Sequence, residues 1–438
     1  MQELAASVTS AGGTCAKICM RGEYDDSVPR GLYASKPISA GDVLLSIPRA
    51  LLLTAGEDGT SIPADDALIL RVLAEAARAD SPWAPYLRLL PPRSSFEAAL
   101  PLFWDSKQIA ALRCPAISAR VFEQQTSLRA RFEALKAMDI PAALSRPSWE
   151  DFTWAWASIE SRSSCFIDDS DGQVNERQCL VPFGDSFNHH ATYPSVMARF
   201  DASMDAFTFT ALRGVDEGEE LFVQYGPHDD ATLLLTYGFV WRDPSSDEED
   251  EEDEEEDEAE EGDEVGGGAE YDNYADAEEP NPHECCVLAR GCVRRPSAAD
   301  VAWLREHDLW DDDEEEEEEE ASAGVMHSLT REGPSATLRA TLQLVHMRAD
   351  ERQAGEWQQA VDQGEPISTN NESCVWRTVR TLATERLKEL RCAGGDEESG
   401  ADATPSASVE PAKIAKRWRA NQTSLLRALL RLADTREY

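Results

Sequence analysis

The sequence predicts an α+β protein: a domain of short, mostly antiparallel strands with a helical insertion at about residues 65–162, followed by a helical C-terminal domain. Three observations carry this. Between Ala206 and Leu212, Phe207 and Phe209 alternate with Thr208 and Thr210, the period-two pattern of a half-buried strand. Between Ala110 and Ala137 the chain is rich in Ala, Leu, Glu, Arg and Gln, all good helix formers. Near the end, Leu425, Leu426, Leu429, Leu430 and Leu432 stand among arginines as an amphipathic helical stripe.

Taken in order, residues 1–20 read as a flexible N-terminus. Gly31 to Thr54 shows two β-like runs flanking Ser39-Ala40-Gly41-Asp42, which predicts a hairpin. Leu68, Leu70, Val72 and Leu73 predict a helix over residues 65–79, with WAPYLRLLPP as its apolar sequel, and Pro115 is expected to break the helical run from Ala110 to Ala137. Ser148, with Asp151 three residues on, reads as the N-cap of the helix that begins FTWAWASIE. Strands are expected at residues 179–183, 196–200, 206–212 and 220–225, with Asp201 to Asp205 as a hairpin loop. The first domain thus runs to about residue 242. An acidic linker at 243–298 has too few apolar residues to offset its ordering entropy and reads as disordered. Helices at 299–310, 336–357, 375–390 and 412–433 form the second domain, interrupted by an acidic loop at 311–324.

The chain has 438 residues and a net charge of −43, of which Asp247–Glu261 and Asp311–Glu320 account for 24 acidic residues, so the remainder is acidic too, at −19. That balance argues against direct binding of nucleic acid, whose affinity rests on Lys and Arg at phosphates, and favours a basic protein partner, a histone or ribosomal protein for example. The acidic runs read either as solvated spacer or as a steering surface for that partner. The ten cysteines are scattered and read as reduced thiols. With no apolar run near 20 residues, the expectation is a soluble intracellular monomer, with nucleus, cytoplasm and plastid all open.

Between Leu180 and Tyr237 lie two polar clusters among apolar residues: Asp185, Asn188 and His189, then Tyr225 and Tyr237. The adjacent His189 and His190 raise a metal reading, but no HxxxH or CxxC companion stands at ligand spacing. A core histidine with Asn188 closing a turn is the bland alternative. Cys285, Cys286 and Cys292 are likewise wrongly spaced for zinc, so no metal is expected.

The motifs RGLYASKPISAGDVLLSIP, VPFGDSFNHH and GEELFVQYG followed by LLLTYGF occur in that order and at suitable distances. Together they resemble the SET-domain protein methyltransferases, in the branch typified by the Rubisco large-subunit methyltransferase and the actin-histidine methyltransferase. The resemblance spans roughly Gly22 to Trp241, and the C-terminal helices are similar in character to that branch's substrate-binding domain. It implies S-adenosylmethionine as methyl donor. It also implies a threaded fold that brings Asn188 and Tyr225 together across 37 residues of chain. Carried over by position, Arg30, Gly31 and Leu32 match the family's donor-contacting turn, although Pro29-Arg30-Gly31 lacks its first glycine. Arg162 matches the arginine of the Ser-Arg motif, Asn188 and His189 the donor-holding pair, and Asp185 the acid that braces their turn. Tyr225 matches the catalytic tyrosine, and Tyr237 and Phe239 the aromatic wall of the target channel.

Two departures bear on the target. Ser164 stands where the family carries an aromatic or amide residue, with Phe166 two positions on. Asp229-Asp230 replaces the usual Ser-Asn, an added acid expected to attract a cationic target. The function implied is protein-lysine N-methylation. Histidine methylation by an enzyme of the same kind competes with it, and an inactive SET-fold module that binds a basic partner is the reading from another class.

Overall fold

The computed structural model of the chain describes residues 2–22, 30–55, 62–141, 146–168, 175–241, 280–288, 292–310, 327–391 and 409–436. Both acidic runs, Gly266–Gly268 and most of the linker expected at 243–298 lie outside the described residues.

The first domain carries strands β1 (Thr14–Cys15), β2 (Ile18–Arg21), β3 (Gly31–Ala34), β4 (Val43–Pro48), β5 (Leu53–Thr54), β6 (Ser163–Asp168), β7 (Asn175–Leu180), β8 (Asn188–His189), β9 (Val196–Asp201), β10 (Ala206–Ala211) and β11 (Phe222–Val223). They form small sheets in the orders β1-β4-β10-β9, β2-β3, β5-β7-β6 and β11-β8. β9 and β10 form the hairpin their alternation predicts, with Asp201 opposite Ala206. The hairpin expected over Gly31 to Thr54 does not form: β3 pairs with β2, and β4 with β1 and β10. Alternation marks a strand but carries no information on its partner, which register and turn geometry decide.

The N-terminal residues are not a loose arm either. Gln2–Ser10 is a helix that buries Leu4 and Val8 in the main core, and β1 and β2 follow it into two sheets. The helical segment spans Ala64–Ala76, Ala84–Leu87, Arg93–Ala99, Ser106–Ala111, Pro115–Ala137 and Trp149–Glu160. Pro115 occupies the first turn of its helix rather than breaking one, a position where its missing N–H costs nothing. Ser148 caps the last of these helices by accepting from the Asp151 N–H at 3.0 Å.

In the second domain, helices Ala298–Glu306, Ala336–His346, Ala349–Ala354, Trp357–Asp362, Thr369–Arg391 and Val409–Arg436 surround a small sheet of β12 (Cys286–Val287), β13 (Ser328–Thr330) and β14 (Gly333–Pro334). β12 falls inside the segment expected to be linker, and its Cys286 is fully buried. The two domains share a core in which Trp418 of the last helix packs with Trp104, Leu112, Ile117, Leu234 and Val287. Polar ties reinforce the seam: Arg113 Nη1 donates to the Leu390 carbonyl, and Arg386 Nη1 to that of Arg113, both at 2.6 Å. No described helix is long and apolar enough to cross a membrane, and the described residues hold no His/Cys/Asp/Glu cluster suited to a metal ion.

Candidate active site

The site is organised by one short parallel pair. β8 and β11 align Asn188 with Phe222 and His189 with Val223, so the chain leaving β11 reaches Tyr225 beside His189. The Tyr225 N–H donates to His189 Nδ1 at 3.1 Å. The strand expected over 179–183 ends at Leu180, because Phe183 sits in the left-handed region (φ 75°) and turns the chain into a short 3-10 segment, Gly184–Ser186. Phe187 then stacks on Phe209 of β10 at 5.1 Å, anchoring that turn to the main sheet.

On one side of the pair lie the residues matched to a donor site. Asn188 Nδ2 donates to the Arg30 carbonyl at 2.9 Å and to Glu220 Oε1 at 2.6 Å. Gly31 fills the gap between them, since a Cβ there would fall 2.2 Å from Glu220 Oε1 and 2.8 Å from Asn188 Nδ2. Leu32 is fully buried, and its carbonyl accepts from the Leu221 N–H at 2.8 Å. Arg30 itself reaches away, donating through Nη2 to the Leu89 carbonyl at 2.7 Å. Arg162 Nη1 donates to the Asp185 carbonyl at 2.8 Å and lies 3.6 Å from Asp185 Oδ2, which in turn accepts from the Tyr86 hydroxyl at 2.9 Å.

Burial raises the Glu220 carboxyl above its ordinary value, against hydrogen bonds from Asn188 and Tyr33 that lower it. Tyr33 is pushed up to about 12 by burial and by the Glu220 charge. Tyr86 is raised well above its usual range by burial, then by Asp185.

On the other side is an aromatic wall. The Tyr225 and Tyr237 rings lie 4.9 Å apart, Tyr237 and Phe239 6.3 Å, and His189 lies 5.1 Å from Tyr225 and 5.6 Å from Trp241. A π-helical turn over Leu233–Tyr237 delivers Tyr237, an irregularity frequent at functional sites. The Tyr225 hydroxyl donates to the Phe187 carbonyl at 2.8 Å, and burial raises its pKa far above the ordinary tyrosine range. His189 is 2% exposed and held neutral, its pKa lowered to about 3 by burial and then by His228, His190 and His283. Its buried Nε2 has no hydrogen-bond partner among the described residues.

The structure therefore brings Asn188, His189, Tyr225, Tyr237 and Phe239 to one place, with Gly31, Glu220 and the Arg162–Asp185 pair behind them. Ser164 and Phe166 stand on β6, where Ser164 pairs with Cys179. Phe166 stacks on Phe200 at 4.6 Å beneath the Arg49 guanidinium, so its ring partners are not the tyrosines. Asp229 and Asp230 do not face an incoming cation. Asp229 caps the turn by accepting from the Thr232 N–H at 2.8 Å and accepts from the Cys285 thiol at 3.1 Å. Asp230 is sealed at the domain seam, accepting from Asn281 at 3.0 Å and Asn421 at 2.5 Å.

Sequence reasoning missed Glu220, Tyr86 and His228. Glu220 stands inside the quoted GEEL motif, a signal that was present but assigned to strand formation. Tyr86 reads as helix packing, and nothing local tells that its hydroxyl reaches Asp185, 99 residues away.

Residues 29–226 match the SET domain family model, and residues 301–402 the Rubisco LSMT substrate-binding family. Over 227 residues the chain is 28% identical to SET domain-containing protein 4 of Artemia parthenogenetica, covering 48% of this chain and 55% of that one. Over 237 residues it is 27% identical to the actin-histidine N-methyltransferase of Danio rerio, covering 50% and 38%. The chain thus spans about half the length of the first relative and well under half of the second. Among solved structures, the SET domain of LSMT bound to lysine and AdoHcy gives a TM-score of 0.63 at 17% identity, over 100% of this chain and 91% of that one. Rubisco LSMT bound to AdoMet gives 0.62 at 18% identity, over 100% and 92%. At such identities the likeness is one of fold.

Proposed function

Because this chain is a SET-domain protein with a Rubisco LSMT substrate-binding domain, we propose that it is an S-adenosylmethionine-dependent protein N-methyltransferase acting on a lysine side chain. One observation carries the reading: the parallel β8–β11 pair sets Asn188 and His189 against Tyr225, with Tyr237 and Phe239 alongside.

The residues present fit the donor. Its amino-acid end bears a carboxylate and an ammonium, and the pocket offers both signs, the Arg162 guanidinium and the Glu220 and Asp185 carboxylates. Gly31 permits the close approach of Asn188 and Glu220 that a side chain would prevent, and neutral His189 adds a buried ring nitrogen. On this reading Arg30, Gly31, Leu32, Arg162, Asp185, Asn188 and His189 hold the donor, which when bound supplies a sulfonium methyl group. The protein's task is the acceptor. A lysine ammonium, with an ordinary pKa of about 10.4, has no lone pair to attack with, and an aromatic-walled channel disfavours its charged form by removing water. Tyr225 hydroxyl, fixed as a donor to the Phe187 carbonyl, keeps its oxygen lone pairs available to orient the nucleophile, so positioning and fixed dipoles supply the acceleration. Tyr237 and Phe239 wall the channel, while Ser164 and Phe166 on β6 shape the acceptor side at greater distance.

The substrate is a protein, and the net charge of −43 favours a basic one reached by long-range attraction that salt weakens. A second reading, histidine as the target, rests on the 27% likeness to an actin-histidine N-methyltransferase.

The test is calorimetry with S-adenosylmethionine on wild type and Asn188→Ala, followed by radiolabelled methyl transfer to lysate proteins. Wild-type binding that Asn188→Ala weakens, and methyl incorporation that Tyr225→Phe reduces by about a hundredfold or more, are the expected results. No donor binding in the wild type would leave an inactive binding module instead. Mass spectrometry of the labelled residue decides lysine against histidine.

A further inference from the structure

We infer that His228 is a positioning residue of the acceptor channel: its Nε2 accepts the Tyr237 hydroxyl proton, turning the Tyr237 oxygen lone pairs toward the incoming nitrogen. The Tyr237 hydroxyl lies 3.4 Å from His228 Nε2, and the two rings are 5.7 Å apart. Tyr237 is the ring next to Tyr225, so whatever fixes its hydroxyl sets the polarity of the channel wall.

The ring is built into this place from two directions. Gly226 lets it approach, since a Cβ there would fall 2.5 Å from His228 Nε2 and 2.8 Å from its Cε1. The His228 carbonyl is pinned by Asn281 Nδ2 at 3.1 Å, and Asn281 is itself fastened to buried Asp230. The backbone carbonyl of His228 is thereby tied to the domain seam.

The direction of the bond matters chemically. Tyr225 already spends its hydroxyl proton on the Phe187 carbonyl. If Tyr237 spends its own on His228, both tyrosine oxygens present lone pairs to the channel, where they accept N–H bonds from the acceptor and aim its remaining lone pair. In the other tautomer Nε2 carries the proton and donates instead. The Tyr237 hydrogen then swings into the channel, the acceptor loses one of its two hydrogen-bond acceptors, and no covalent bond is made or broken. Tyr237 is the imidazole's aromatic neighbour, and His228 and His283 both bear on His189 of β8. Glu160, from helix Trp149–Glu160, bears on Tyr237.

The role in transfer rests on the methyltransferase reading, but the hydrogen-bond direction does not, and the two are tested apart. Nitrogen-15 NMR of the full chain, with the His228 signals assigned by difference from His228→Gln, reads the tautomer of the imidazole. An unprotonated Nε2 whose shift changes in Tyr237→Phe supports the inference; a protonated Nε2 at neutral pH overturns it. In methyl transfer to the lysate proteins that the wild type labels, His228→Lys, a fixed donor, should lower the rate about tenfold, the worth of one hydrogen bond. His228→Gln, which can still accept, should recover most of that loss. Equal rates in the two variants would refute the positioning role. A wild type that labels nothing would remove the proposed activity while the tautomer still decides the hydrogen bond.

Discussion

Asn421→Ala strikes the seam between the two domains at its most buried polar point. Asn421 is 1% exposed and its Nδ2 donates twice, to Asp230 Oδ2 at 2.5 Å and to the Trp241 carbonyl at 2.6 Å. Asp230 is fully buried and also accepts from Asn281 at 3.0 Å, while nearby Glu284 accepts from Gln422 at 2.5 Å, and the Asp230 charge helps raise its pKa. Removing the amide deletes one hydrogen bond to a carboxylate, worth about 1.5–3 kcal/mol, and one to a backbone carbonyl, worth about 0.5–1.5 kcal/mol. The expected cost is about 3 kcal/mol, read as a lowered urea midpoint by tryptophan fluorescence. Burial raises both carboxyls, Glu284 the more strongly. The native state therefore binds more protons than the unfolded chain, so the pair's contribution is fully present below the ordinary carboxylate range and fades as pH rises through the raised native values. The mutational cost should accordingly shrink in mild acid, where Asp230 takes up a proton and needs its donors less. A double-mutant cycle with Asp230→Asn isolates the charge and should show coupling above about 1 kcal/mol. A cost below about 1 kcal/mol at pH 8, or additive mutations, would refute the view of this seam as a coupled network around a buried carboxylate.

Three further outcomes follow from the site. Gly31→Ala places a methyl 2.2 Å from Glu220 Oε1, so S-adenosylmethionine affinity by calorimetry should fall at least tenfold, or about 1.4 kcal/mol, with the chain still folded by circular dichroism; unchanged affinity would exclude this strand from the donor pocket. His189, neutral down to about pH 3 in the native state, binds fewer protons than an unfolded histidine, so stability drains as pH falls below about 6.5 at up to about 1.4 kcal/mol per unit. The urea midpoint of His189→Gln should therefore drop less between pH 7 and pH 5 than that of the wild type, and parallel slopes would contradict the assignment. Tyr86→Phe removes the hydroxyl donor to Asp185 at about 1.5–3 kcal/mol and should weaken donor binding several-fold by loosening Arg162; a loss of stability without any loss of affinity would separate this bond from the pocket.

What could be read from the sequence divides along the range of the interactions concerned. Ser148 as a cap and the Phe207/Thr208 alternation are decided within a few residues, and the structure keeps both. Pro115 was legible as a helix boundary but not as to which side of it the helix lies, because a proline disrupts an interior and suits a first turn equally well. Strand partners were not legible: Gly31 to Thr54 holds two strands that pair elsewhere, and only long-range register reveals it. The N-terminal helix announces itself by Leu4 and Val8 alone, one turn apart, too thin a stripe to outweigh a terminal position.

The site shows the same division more sharply. Asn188, His189, Tyr225 and Tyr237 were found by the motifs they sit in, and the β8–β11 pair gathers them. Asp229 and Asp230 were read by charge and misread, because a formal charge in a sequence says nothing about who surrounds it. Their neighbours come from residues 281–285 and from Asn421, which lies 191 positions beyond Asp230. A buried acid survives only where donors converge on it, and here those donors come from the second domain. The turn that carries His228 and Tyr237 is therefore held by residues 281–285 and by the last helix. Contacts made on the C-terminal helices thus have a covalent and hydrogen-bonded route to the tyrosine pair proposed to line the acceptor channel: Asn421 to Asp230, Asp230 to Asn281, Asn281 to the His228 carbonyl, and His228 to Tyr237.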